Sequence, residues 1–362
     1  MFKRWPILLW LALAVLAVGG CRRLPLTGGP PHCRFLGVNR FDNFSRATDA
    51  AGHTVLLSPV LAAGMDWNEL VVSWNAAAPA GTWLQVEARA WIGRRPTRFY
   101  NLGWWSPDNR AGPRTSQHGQ QDADGTVKVD TLVLAQPANR VQLRLTLGGP
   151  PTATPTLKFL GLSFCNPRVP PPARPPNRAA WGRIIPTPER SQYGYVGENG
   201  WCAPASLAMV LAHWGEVRHR PELNLPVPAV AAAVYDRDYP GTGNWPFNTA
   251  LAGGFPGLRA WVTRLDGLPD VEDWIAAGVP VILSVRWDRL ADGRTPDANG
   301  HLLVCTGFTA AGDVVVNDPA ARPERGEAVQ QVYRRANVLR AWAGSHQTAW
   351  LVEPEEVLNF KF

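Results

Sequence analysis

Apolar and polar positions alternate through the first half of the chain. Over residues 82–92, Leu84, Val86, Ala88, Ala90 and Ile92 fall on one face, and Gln85, Glu87 and Arg89 on the other. Over residues 140–147, Val141, Leu143, Leu145 and Leu147 alternate with Gln142, Arg144 and Thr146. Residues 69–74, 126–134 and 157–164 are strand-like too, and turn-rich stretches separate all of them. Short strands at this spacing predict an all-β antiparallel sandwich over residues 33–165. The period then changes. Leu207, Val210, Leu211 and Trp214 recur at the spacing of a helix buried on one side. Pro204 suits its first turn, and Gly215 the position just past its end. Residues 270–278 read as a short helix with Asp270 as N-cap and Gly278 as stop. Residues 279–285, 301–308 and 313–317 read as strands, the last two joined by the turn Ala310-Ala311-Gly312. Helices first and strands after is an α+β layout.

Two stretches divide the chain. Lys3 and Arg4 precede an apolar run over residues 7–18, too short for a comfortable membrane span. The run ends in Val18-Gly19-Gly20-Cys21, which resembles a bacterial lipoprotein signal. That resemblance implies removal of residues 1–20 and lipidation of Cys21. It makes residues 21–32 a tether and places the rest outside the cytoplasmic membrane, held to it by lipid. The second stretch, Pro167-Arg168-Val169-Pro170-Pro171-Pro172-Ala173-Arg174-Pro175-Pro176, reads as a semi-rigid polyproline spacer. It makes residues 166–188 a linker and 189–362 the second domain.

Composition changes the picture in three places. The formal net charge is +7, but no basic run of five or more occurs, so no nucleic-acid partner is expected. Five cysteines stand at 21, 33, 165, 202 and 305, with no C-x-x-C pair, which argues against zinc and thioredoxin-like chemistry. Cys33 and Cys165 bracket the β domain, where a disulfide clamping its two ends is expected. Trp83 and Trp91 fall opposite the aliphatic row. They are either packing residues or an aromatic platform for a glycan or protein ligand.

Cys202 sits at the start of the Leu207–Trp214 helix pattern, where backbone N–H groups and the helix dipole favour a thiolate. With a hairpin turn near 310, positions whose numbers total about 620 oppose each other, which brings His301 and Asp318 across from one another. A carboxylate beside an imidazole orients it and stabilises its charged form. A helix-start Cys, then a His on a strand, then an Asp on the next strand is the order of papain-like enzymes. Those enzymes draw an oxyanion donor from a Gln upstream of the Cys, and Gln192 stands there.

The second domain resembles the C39-like cysteine peptidase family in its stand-alone bacterial form. The matching segments are Ser191-Gln192, Trp201-Cys202-Ala203-Pro204-Ala205-Ser206, Gly243-Asn244-Trp245-Pro246, Ala277-Gly278-Val279-Pro280-Val281, Gly300-His301-Leu302-Leu303-Val304 and Val316-Asn317-Asp318-Pro319. The resemblance implies Cys202 as nucleophile, His301 as general base and then acid, Asp318 as orienting carboxylate and Gln192 as oxyanion donor. Asn244, Trp245 and Trp201 would be substrate-binding walls of the cleft. It implies a peptide or protein substrate and no metal or organic cofactor. Ala203 stands where the family often has Gly or Ser, which leaves the backbone N–H in place. Two other readings fit the same residues: a non-catalytic surface lipoprotein that binds a glycan or protein, and an acyl or amide transferase on the same triad.

Overall fold

Residues 31–356, apart from 109–111, 199, 293 and 297–299, are described by the computed structural model. Cys21 and the apolar run before it lie outside the described residues. Among the described residues no helix is long and apolar enough to cross a membrane.

The first ten strands are β1 (Cys33–Val38), β2 (Ser45–Thr48), β3 (Thr54–Leu57), β4 (Leu61–Ala77), β5 (Trp83–Ile92), β6 (Arg95–Pro96), β7 (Tyr100–Trp105), β8 (Gly125–Lys128), β9 (Thr131–Gly148) and β10 (Thr156–Cys165). All of their pairings are antiparallel. The all-β antiparallel class is the expected one. The strands join into one continuous ten-stranded sheet, curled as a half-barrel. The cause is length. β4 and β9 run 17 and 18 residues, so each pairs with different partners along its course. The stretch expected as one strand at 126–134 is split between β8 and β9, and β9 runs on through the strand expected at 140–147. It passes through an exposed Pro137 where its register with β4 slips around Trp67. The alternation fixes the register: Leu84, Val86, Ala88 and Ala90 lie buried opposite Leu147, Leu145, Leu143 and Val141. On the other face Trp83 packs on His53 and Trp104, and Trp91 lies under Arg89 and Arg140.

The second half holds helices α1 (Cys202–Val217), α2 (Val227–Val234), α3 (Trp245–Gly254), α4 (Leu268–Ala276) and α5 (Arg335–Trp342). Its sheet, in the order β11-β16-β12-β13-β14-β15, is built from β11 (Leu258–Arg264), β12 (Val281–Arg286), β13 (Gly300–Phe308), β14 (Val314–Asn317), β15 (Gln330–Tyr333) and β16 (Thr348–Pro354). α1 packs on β13 and β16, so the helix carrying Cys202 lies against the strand carrying His301.

Three local expectations are corrected. α1 does not stop at Gly215 but runs to Val217. Gly215 is needed for closeness instead, since a Cβ there would stand 2.9 Å from the Arg220 carbonyl oxygen. α4 begins at Leu268, two residues before Asp270, whose carboxylate accepts the Asp266 N–H at 2.7 Å from within the first turn. Residues 174–187 are not a free spacer. Arg174 pairs with Asp270 and Asp273, and Glu272 accepts from the Asn177 N–H and the Trp181 indole, both at 2.7 Å. Trp181 and Ile184 bridge to Phe308 and Gly307 of β13.

The two halves are joined by more than a linker. β11 is an edge strand of the second sheet, and unpaired edges invite association. Here side chains of the β domain occupy that edge at alternate residues. Asn75 donates to the Ala260 carbonyl at 2.7 Å and accepts its N–H at 3.0 Å; Ser73 accepts from Val262 at 3.2 Å, and Ser163 from Arg264 at 3.0 Å. Three short polar side chains thus do what a neighbouring strand would do.

Candidate active site

α1 begins at Cys202 itself, with Trp201 as N-cap and Pro204 in the first turn, so the sulfur sits among unpaired helix-start N–H groups. β13 and β14 pair as Val304 with Asn317 and Cys305 with Val316. That register sets Asp318 just past the end of β14, within reach of His301. His301 Nε2 lies 2.7 Å from Asp318 Oδ1, with both side chains almost fully buried. The other ring nitrogen is left for Cys202, whose thiol His301 stabilises in its charged form and whose sulfur lies 3.9 Å from the Gly200 carbonyl oxygen. The structure therefore brings Cys202, His301 and Asp318 together.

The electrostatics of the three agree in sign. Burial opposes a charged Cys202. The His301 hydrogen bond and charge, with the N–H groups of Leu302 and Ala203, outweigh it and hold the thiol below its ordinary pKa. Burial likewise opposes charge on His301, but Asp318, then Cys202, raise it to about 10. For Asp318 burial is outweighed by His301, the Ala320 N–H and Tyr333, which lower it to about 2. These shifts favour a thiolate–imidazolium pair held by a carboxylate. Tyr333 belongs to this set although its sequence context gave no hint. Its hydroxyl donates to Asp318 Oδ2 at 2.7 Å and accepts from Arg294 at 3.0 Å. Only the pairing of β14 with β15 brings it there.

Gln192 is tied to the same corner. Its backbone N–H donates to the Pro319 carbonyl at 2.9 Å, and the Ser191 hydroxyl donates to Ala321 at 2.8 Å. The Gln192 side-chain oxygen is buried without a partner.

Of the expected cleft residues, Trp245 lines a cavity of about 750 Å³ that also contains Cys202, Gly300 and Leu302. Trp201 does not line it. It borders a neighbouring depression with Tyr235 and Pro228, the two hollows sharing Pro240, Gly241 and Thr242. Asn244 is fully buried, and its placement as a cleft wall is corrected. Its oxygen caps α3 by accepting the Phe247 N–H at 3.2 Å, and its amide donates to Asp236 at 2.9 Å. The opposite wall of the Cys202 cavity comes from the β domain, through Glu69 and residues 128–131. Strand alternation alone carries no trace of this.

Cys305, on the His301 strand, is fully buried, and burial pushes its thiol up to about 12. Cys33 and Cys165 stand directly opposite each other on β1 and β10. They are free thiols with sulfurs 2.7 Å apart. With His32 they form a group whose ligand atoms lie within 4.8 Å of one another. Two thiolates on one tetrahedral metal with bonds of about 2.3 Å would stand about 3.7 Å apart, so the sulfur spacing does not fit a metal.

Residues 184–350 match the family model described as the Peptidase_C39 like family, and residues 36–164 match the Peptidase C39 N-terminal domain. The chain belongs to the C39-like cysteine peptidase family and carries a C39 N-terminal domain ahead of the peptidase domain. A crystal structure described as that of a C39-like peptidase from Bacillus anthracis is similar at 16% identity and a TM-score of 0.36, over 48% of this chain and 98% of that one. That likeness is too distant to add to what the family models establish. No curated protein is significantly similar to the chain.

Proposed function

We propose that the protein is an exported, lipid-anchored cysteine peptidase that hydrolyses peptide bonds through Cys202, His301 and Asp318. The observation that carries the reading is the buried contact chain from the Cys202 thiol at the start of α1, through His301, to Asp318 at 2.7 Å. The Cys202 thiolate attacks a peptide carbonyl, and the Cys202 N–H with the Gln192 amide stabilises the oxyanion. His301 gives its proton to the leaving amine, then takes one from water to release the acyl-enzyme. Asp318 keeps the ring oriented and its charged form favoured.

Lipidation of Cys21 and export rest on Val18-Gly19-Gly20-Cys21 after the apolar run. A Cys33–Cys165 disulfide is supported by the direct pairing of the two residues, and an exported protein meets the oxidant that would form it.

The test is to compare new N-termini across a proteome digested with the native chain and with Cys202→Ala. The expected result is a set of cleavages that vanishes in the variant. An added amine should not be incorporated in place of water. No Cys202-dependent cleavage refutes the peptidase reading, and amine incorporation replaces it with acyl transfer.

A further inference from the structure

We infer that the β8–β9 turn, Lys128-Val129-Asp130, is the substrate-selecting wall of the cleft, and that Val129 makes the enzyme prefer an apolar side chain beside the scissile bond. This rests on the peptidase reading of Cys202. Val129 and Cys202 line the same cavity, one from each domain. The turn is held in a costly shape. The Asp130 N–H donates to the Lys128 carbonyl at 2.7 Å around Val129 at φ +57°, a three-residue turn of the rare positive-φ kind. A β-branched residue is a poor choice there, and Gly or Asn would take the same backbone without strain. Strained residues persist where the surroundings over-determine them, and they cluster at ligand clamps.

The surroundings here are explicit. The Asp130 carboxylate is buried and accepts the Trp245 N–H at 2.9 Å and the Thr131 hydroxyl at 3.0 Å. It thereby pins the turn to the start of α3 across the domain boundary.

The chemistry of the wall follows from which groups are already paired. Glu69 is bonded to Arg264 at 2.5 Å and to His346 at 3.0 Å. Asp130 is engaged as described. The apolar part of the cavity surface is Val129 and Val133 from one domain, with Trp245 and Leu302 from the other, and the exposed Lys128 stands beside it as a cation. An apolar group of the size of Val or Leu gains from burial there, whereas an ammonium would lose its water, meet Lys128 and find both lining carboxylates already engaged.

The experiment uses the full chain and a series of peptides that differ only at one residue next to the cleaved bond, carrying Leu, Ala, Asp or Lys. The native protein should favour Leu over Lys by about tenfold or more in kcat/KM. Val129→Gly and Val129→Asn should melt no lower than the native chain, yet lose most of that preference, chiefly through KM. Val129→Asp should penalise Leu. If the native chain cleaves but these variants keep its preference, the inference fails and the peptidase reading stands. If the native chain cleaves no peptide and Cys202 resists a peptidyl electrophile, both fail together.

Discussion

The chain places a cysteine beside a histidine twice, and the two sites differ in everything else. At Cys202 the sulfur opens a helix, is stabilised as a thiolate by His301, and borders a large cavity. At Cys165 the sulfur ends a strand. It meets the Cys33 sulfur at 2.7 Å and His32 Nε2 at 3.8 Å. Both thiols are lowered. For Cys165 the main cause is the Cys33 thiol, with burial opposing and His32 assisting. Cys33 is pushed far up, by burial first and then by its partner. A low thiol pKa therefore does not by itself identify a nucleophile. What separates the sites is what faces the sulfur: an open cavity at Cys202, another sulfur at Cys165. Cys305 completes the comparison, since burial raises its thiol and its contact with the Gly307 backbone does not offset that.

The contrast breaks most visibly at Cys202. Cys202→Ala should lower kcat/KM by about 10⁴-fold or more, with no change in folding, as removal of a nucleophile does. Peptide hydrolysis assays with circular dichroism on the same samples check this.

Next comes the carboxylate. Asp318→Asn should lower activity by about 10²-fold, the scale of a positioned acid–base partner. Native activity should fall on the alkaline side as His301 loses its proton near 10, and the variant's alkaline limb should move toward neutrality. Stability has matching signs. The raised His301 stabilises fully below its ordinary value near 6.5, and that contribution is lost as pH rises through about 10. The lowered Asp318 stabilises above its ordinary value near 3.8, and that contribution is lost as pH falls through about 2. Denaturation across about pH 2–11 should show both losses shrink in Asp318→Asn.

The second site should respond in stability and not in chemistry. In oxidised protein, Cys165→Ala should cost about 2–4 kcal/mol in urea unfolding, the usual worth of a disulfide, while the folded fraction keeps its kcat. An equal loss in the fully reduced native chain would show that packing alone is responsible. The smallest effect falls at Cys305, where Cys305→Ala should cost about 1 kcal/mol and leave cleavage unchanged.

How much of this was legible beforehand depended on range. Alternation gave the β-domain strands, and residue spacing across the 310–312 turn put His301 near Asp318, because both depend on neighbours in sequence. Gly215 was misread as a stop because its true constraint is the Arg220 carbonyl folded back on it. Asn244 carried the look of a cleft residue, but its partners Asp236 and Phe247 make it a buried cap. Tyr333, the docking of 174–187 on α4, and the β8–β9 wall arise from pairing and packing between distant segments. No local pattern encodes those contacts.

The central claim is that the protein has one catalytic thiol, chosen by what faces it. The direct measurement is mass spectrometry of every cysteine after the native, unreduced chain meets a peptidyl electrophile at neutral pH. The account predicts label on Cys202 alone, Cys33 and Cys165 recovered as one linked peptide pair, and Cys305 unmodified. Label on Cys165 or Cys305 with Cys202 untouched would contradict it.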